Sequence, residues 1–171
     1  SISMDKTGMI SGVSGFEVDG DGEILWVDSF KLLKEDLSFN SGTHTLAAIR
    51  ALDKNQSPVP ASPLYDSATV TSRTFLEDGD PKMSVAIEEV KNNLGVVIDH
   101  EISSISTFEV DADGNILWVD SHKMTDQDGG TAGTQLASWD ALSATAKDEI
   151  SEFASYYEAA TITSRTFLEN G

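Results

Sequence analysis

Two stretches of this chain say nearly the same thing, and they say it at one fixed spacing. Residues 15–29 read GFEVDGDGEILWVDS and residues 107–121 read TFEVDADGNILWVDS, identical at 12 of 15 positions. Residues 67–79 read SATVTSRTFLEDG and residues 159–171 read AATITSRTFLENG, identical at 10 of 13. Both pairs are offset by 92, and the same register matches Ile10, Ser11, Val13 and Ser14 to Ile102, Ser103, Ile105 and Ser106. A duplication accounts for this, with copies at 1–79 and 93–171 and a linker at 80–92. Two copies are too few for a solenoid. Modules near 80 residues are marginal alone, so an interface between copies is expected to help them fold.

The fold class expected is mainly β with minor α: two tandem copies of a small antiparallel β-rich module joined by a helical linker. In the linker, Asp80-Pro81 ends the preceding strand and Ser84 caps a helix. Val85, Ile87, Val90 and Leu94 form its apolar side, and Gly95 stops it. Each module is expected to hold an N-terminal strand, the FEVD/ILWVDS hairpin and a closing TSRTFLE strand dense in β-branched residues.

The acidic repeat admits two readings. Glu17, Asp19, Asp21 and Asp28 have the spacing of a calcium-binding EF-hand loop, as do Glu109, Asp111, Asp113 and Asp120, with Gly22 or Gly114 at the sixth position. Calcium needs several hard oxygens converging on one point. These eight carboxylates are the candidate metal ligands, and calcium is the one cofactor considered. An EF-hand, however, requires an entering helix, and MISGVSGF and HEISSISTF favour strands. The preferred reading is a hairpin turn with glycine in the left-handed region. In the register expected, Val110 faces Ile116 and Phe108 faces Trp118. Likewise Val18 faces Ile24 and Phe16 faces Trp26, with Leu25, Val27, Leu117 and Val119 on the reverse.

Of three arginines, Arg73 and Arg165 are duplicates. A guanidinium forks onto a carboxylate, so each is expected to form a structural ion pair, with Asp28 and Asp120 as partners. Trp26 and Trp118 are expected to anchor cores, and Trp139 is a candidate for exposure.

Between the matched ends the copies diverge. Copy 1 offers a short helix at Leu46–Asp53 and an extended loop around Pro58–Pro63. Copy 2 offers a glycine-rich loop at Asp126–Thr134. An amphipathic helix follows at Ser143–Glu158, carrying Ala146, Ile150, Phe153, Ala154 and Tyr157. A shared scaffold with different loops suits binding.

Charge narrows the function. With 29 acidic and 11 basic residues the net charge is −18, which opposes nucleic-acid binding. No cysteine is present, so thiolate chemistry and disulfides are excluded. No run of about 18 apolar residues suggests membrane insertion. The start shows no signal peptide, and a chain opening on Ser1 is expected to be processed or part of a longer one. His44, His100 and His122 are not duplicated, and no catalytic motif stands in usable context.

The chain therefore reads as no enzyme but a structural or interaction protein, a subunit or decoration component of a virion or cell-surface assembly. Its partners would be other protein subunits or copies of itself, since duplicated modules let one chain fill two quasi-equivalent positions. A calcium-dependent or small-ligand binding module using the repeated loops is the alternative, and an accessory domain of a longer enzyme is the weaker one.

Overall fold

A computed structural model describes residues 1–4, 10–32, 65–125 and 136–168. The expected helix at Leu46–Asp53, the Pro58–Pro63 loop and the Asp126–Thr134 loop lie outside the described residues. The protein is mainly β and antiparallel, with few short helices. Its strands are β1 (Ile2–Met4), β2 (Ile10–Val18), β3 (Ile24–Leu32), β4 (Tyr65–Glu77), β5 (Asp80–Lys91), β6 (Val97–Val110), β7 (Ile116–Met124) and β8 (Tyr157–Phe167). No helix among the described residues is long and apolar enough to cross a membrane.

The chain divides into two compact bodies, residues 1–15 with 28–70, and residues 16–27 with 71–171. In the smaller, β1 pairs antiparallel with β2, Ile2 opposite Val13 and Met4 opposite Ile10. The Ser1 ammonium donates to the Ser14 carbonyl at 2.6 Å, and Val13 is buried.

In the larger body, sheet order follows chain order through to β8. The linker expected to be helical is strand β5. Its apolar residues explain why: Met83, Val85 and Ile87 alternate with Ser84 and Ala86, and all three are buried while their neighbours are less so. That is the period of two that lays one face of a strand on a core. Asp80-Pro81 does not end the sheet. Asp78 (φ 55°) and Gly79 (φ 86°) make a two-residue turn with both central residues left-handed, and the chain returns with Glu77 opposite Asp80.

Strand β6 carries the centre of the core. Ile102 and Ile105 are both fully buried, although three residues apart. A bulge reconciles them: Ala86 faces Ser104 and Ile87 faces Ile102, leaving Ser103 as the extra residue. With Val85 and Phe153, these are the largest fully buried side chains, each contributing roughly 1.5–3 kcal/mol of apolar burial. The reverse face is made of small hydroxyls. Register places Thr74, Ser84, Ser106, Ser121 and Ser164 in one row across five consecutive strands.

The core face is covered by residues 136–156. The Ile102 amide donates to the Ala137 carbonyl at 2.9 Å and the Trp139 amide to His100 at 2.8 Å, so this segment extends the edge of β6. Trp139 is buried, not exposed. The amphipathic helix expected at Ser143–Glu158 is broken in two. Helix α1 spans Ala144–Lys147, capped by the Ser143 hydroxyl accepting from the Ala146 amide, and a 3-10 helix spans Ile150–Ser155. Glu149 between them is extended. The reason is a competing donor: Arg73 Nη1 reaches the Lys147 carbonyl at 2.7 Å and the Asp148 carboxylate at 2.9 Å. That carbonyl would otherwise carry the next helical turn. The break lets Phe153 descend fully into the core.

Candidate functional site

The repeated acidic stretches form hairpin turns of one design. In the first, the Asp19 amide donates to the Glu23 carbonyl, and Asp19 Oδ1 accepts from the amides of Asp21 and Glu23, both at 2.9 Å. Asp111 does the same with Asp113 and Asn115. A third turn follows this plan at Asn92, whose Oδ1 accepts from Leu94 and Val96. Gly22, Gly95 and Gly114 are left-handed at the same place in each. Gly95, expected to stop a helix, therefore closes the β5–β6 hairpin. The pattern is an Asx residue three before a glycine, and DGDG, NNLG and DADG all carry it.

These bonds hold the Asp19 and Asp111 carboxyls below their ordinary pKa. For Asp19 the Glu23 amide is the main cause, and for Asp111 the Asn115 side chain and amide. Glu17 and Glu109 are exposed on β2 and β6, and Asp21 and Asp113 are exposed at the turn tips. Asp28 sits half-buried on β3 and Asp120 buried on β7. Among the described residues no three His, Asp or Glu side chains group as a metal site.

The second hairpin departs from the expected register. Val110 does face Ile116, but Glu109 faces Trp118 and Phe108 faces Val119. Leu117 is the extra residue of a bulge, which turns Trp118 to the face opposite Phe108. There it meets the closing strand. The Arg165 guanidinium carbon lies 4.8 Å from the Trp118 ring centroid, and Arg73 lies 4.6 Å from Trp26 in the matching position. Tryptophan–arginine stacking is thus a property of both copies.

Arg165 also grips Asp120 with two bonds of 2.6 Å, Nε to Oδ1 and Nη2 to Oδ2, the ion pair expected for this copy. The Arg165 side chain beside it holds the Asp120 carboxyl below the usual carboxylate range. A depressed folded-state pKa adds stability above the unfolded value and loses it as pH falls through the folded one. Asp120→Asn should therefore lower stability near neutrality and flatten the decline seen from about pH 5 downward. Superimposable acid limbs in thermal melts of the two proteins would refute that role for the pair.

Burial separates the copies. Phe75 is 4 % exposed and Phe167, its equivalent, 69 %. The Arg73 side chain is 9 % exposed and that of Arg165 37 %. Phe75 is covered by Met83 across the β4–β5 ladder and by the Phe153 ring at 5.5 Å. The Arg73 guanidinium carbon lies 4.6 Å from the Trp26 ring centroid and 5.5 Å from that of Trp139, and its Nη1 pairs with Asp148. Phe167 has the edge of Trp118 at 6.4 Å, and β8 is the last strand of the sheet among the described residues. Ile162, Phe167 and Leu168 are all exposed. One sequence motif thus occurs once buried and once bare.

A compensated exchange also distinguishes the copies. A Cβ on Gly15 would lie 3.0 Å from the Phe30 ring, so a side chain at 15 would crowd that ring. At the equivalent positions stand Thr107 and His122, whose Oγ1 and Nε2 are hydrogen-bonded at 2.8 Å. His122 is buried over the Tyr157 ring, and its Nδ1 has no hydrogen-bond partner among the described residues. His100 is paired with Asp140 at 2.8 Å, and His44 lies outside the described residues. A cleft of about 370 Å³ lies beside the covered motif, lined by Trp26, Phe75, Leu76 and Ile150 with Glu77 and Lys82 among its polar residues. No known family, curated protein or solved structure matches this chain.

Proposed function

We propose that this chain is a non-enzymatic structural or interaction protein, a subunit or decoration component of a larger assembly such as a virion or cell surface. Its partners in this reading are other protein subunits or further copies of itself. One observation carries the reading: Arg73 and Phe75 of the TSRTF strand are buried in copy 1, while Arg165 and Phe167 are exposed in copy 2. Apolar residues gathered on an open sheet edge are a pairing template that a soluble protein usually blunts. The acidity of the rest of the chain keeps such a subunit dispersed until the right surface meets it.

Calcium or ligand binding at the repeated loops is the second reading, favoured only by the duplication of their carboxylates. Against it, Asp19 and Asp111 are already bonded to their own turns, and Arg165 holds Asp120.

Sedimentation velocity over a wide concentration range tests the proposal. The expected result is reversible growth into a defined oligomer, or co-sedimentation with a larger particle. A monomer at every concentration, melting higher with calcium but not magnesium, would overturn it in favour of the loops.

A further inference from the structure

We infer that the outer edge of β8, with the Trp118–Arg165–Phe167 face beside it, is a docking site for an extended strand of the residue pattern of β5, supplied by another repeat of this type. The inference rests on the assembly reading and names its contact. Copy 1 supplies the template. Strand β4 reads TVTSRTFLE over 69–77 and β8 with its continuation reads TITSRTFLE over 161–169. β4 is paired on its outer side by β5, whereas β8 ends the sheet among the described residues.

The register carries over by the offset of 92. Arg73 faces Val85, Thr74 faces Ser84 and Phe75 faces Met83. Arg165, Thr166 and Phe167 would therefore face a valine, a serine and a methionine of the incoming strand. The Thr74–Ser84 hydroxyl contact of 3.1 Å would be repeated at Thr166. A methionine opposite Phe167 would cover the ring that now stands open, as Met83 covers Phe75.

Nothing on β8 opposes this. Residues 157–167 contain no proline or lysine, the residues that blunt natural edges. They carry one acid, Glu158, and one base, Arg165, so a chain of net charge −18 presents a locally neutral strand here. Pairing with β7 is regular from Ser164 to Phe167, its bulges lying nearer the start of β8. The molecule's own β5 is committed to β4 and β6, so the incoming strand comes from elsewhere. Main-chain bonds then give affinity and alternate side chains give selectivity, as in strand addition generally.

The test is amide hydrogen exchange on the full chain, held at a concentration where it sediments as a monomer. The probe is a synthetic peptide of residues 80–91, DPKMSVAIEEVK, titrated through the millimolar range. Saturable slowing of exchange in residues 163–168 is expected, about tenfold at the end point, with β1 and β2 unchanged. A peptide carrying Val85→Pro should give no slowing, and Phe167→Asp in the chain should weaken the effect about tenfold or more. No protection at any peptide concentration, or equal protection by the proline peptide, overturns the inference. A chain that never self-associates but protects 163–168 leaves it standing. One that assembles with 163–168 still exchanging freely overturns it and leaves the assembly reading intact.

Discussion

Phe75→Ala will cost about 3–5 kcal/mol of stability, the range for deleting a buried phenylalanine. Phe167→Ala, the same residue of the same motif, will cost under about 1 kcal/mol in the isolated chain, as surface substitutions do. The difference follows from what lies over each ring. Phe75 is 4 % exposed, under Met83 and Phe153, so its removal leaves a cavity that two neighbouring elements cannot easily close. Phe167 is 69 % exposed and touches Trp118 at its edge. Urea unfolding of the two single variants measures both values. Equal losses would mean that the two motifs have the same surroundings, contrary to the structure.

The second large effect is expected at Arg73. Replacing it by alanine should lose about 3 kcal/mol, from charged hydrogen bonds of roughly 1.5–3 kcal/mol and ring stacking of about 0.5–2 kcal/mol, with overlap between them. Arg73→Lys should restore less than half. A lysine is a compact point charge and lacks the planar guanidinium that stacks near Trp26 and Trp139 while its Nη1 donates to both the Lys147 carbonyl and Asp148. A second readout separates this from lost volume. Because Arg73 holds the carbonyl where α1 stops, hydrogen exchange at residues 148–153 should quicken in Arg73→Lys before the whole domain opens. Full rescue by lysine, in stability and exchange together, would contradict the role of the guanidinium.

What could be read from the sequence was local chemistry, and what could not was competition between distant groups. The Asp111–Gly114 turn is legible because an Asx side chain and a left-handed glycine close it within five residues. The β5 strand carried two periods at once. Val85, Ile87, Val90 and Leu94 fit a helix loosely, while Met83, Val85 and Ile87 fit a strand strictly. The Asn92–Gly95 turn, which shares the plan of the acidic turns, decides between them, but with asparagine and leucine in place of aspartates it resembles them little. The Trp118 register failed by one residue because bulges are set by how a strand must twist, and no residue type marks Leu117 as the extra one. The helix at Ser143–Glu158 was broken by Arg73, 75 residues before Asp148, and no local pattern carries that information. The ion pair of Arg165 with Asp120 was legible because both residues recur in the duplicated motifs. The burial of one motif and exposure of its twin was not, since identical residues say nothing of what lies on top of them.

The exchange of Gly15 and Phe30 for Thr107 and His122 restricts the history open to the two copies. Starting from the glycine–phenylalanine pair, a threonine acquired first would bring its Cβ to 3.0 Å from the ring, which would have to shift by a few tenths of an ångström. A histidine acquired first, being smaller, would fit over the glycine, and threonine could follow and gain the hydrogen bond. Run backward, the uncrowded order has threonine leave before phenylalanine enters. In either direction the uncrowded route runs through the glycine–histidine pair, so divergence at this pair has one favoured gate. A recombinant that exchanges whole copies keeps each pair intact. One whose crossover falls between positions 15 and 30, or between 107 and 122, joins threonine to phenylalanine in one of its two products and crowds the ring there.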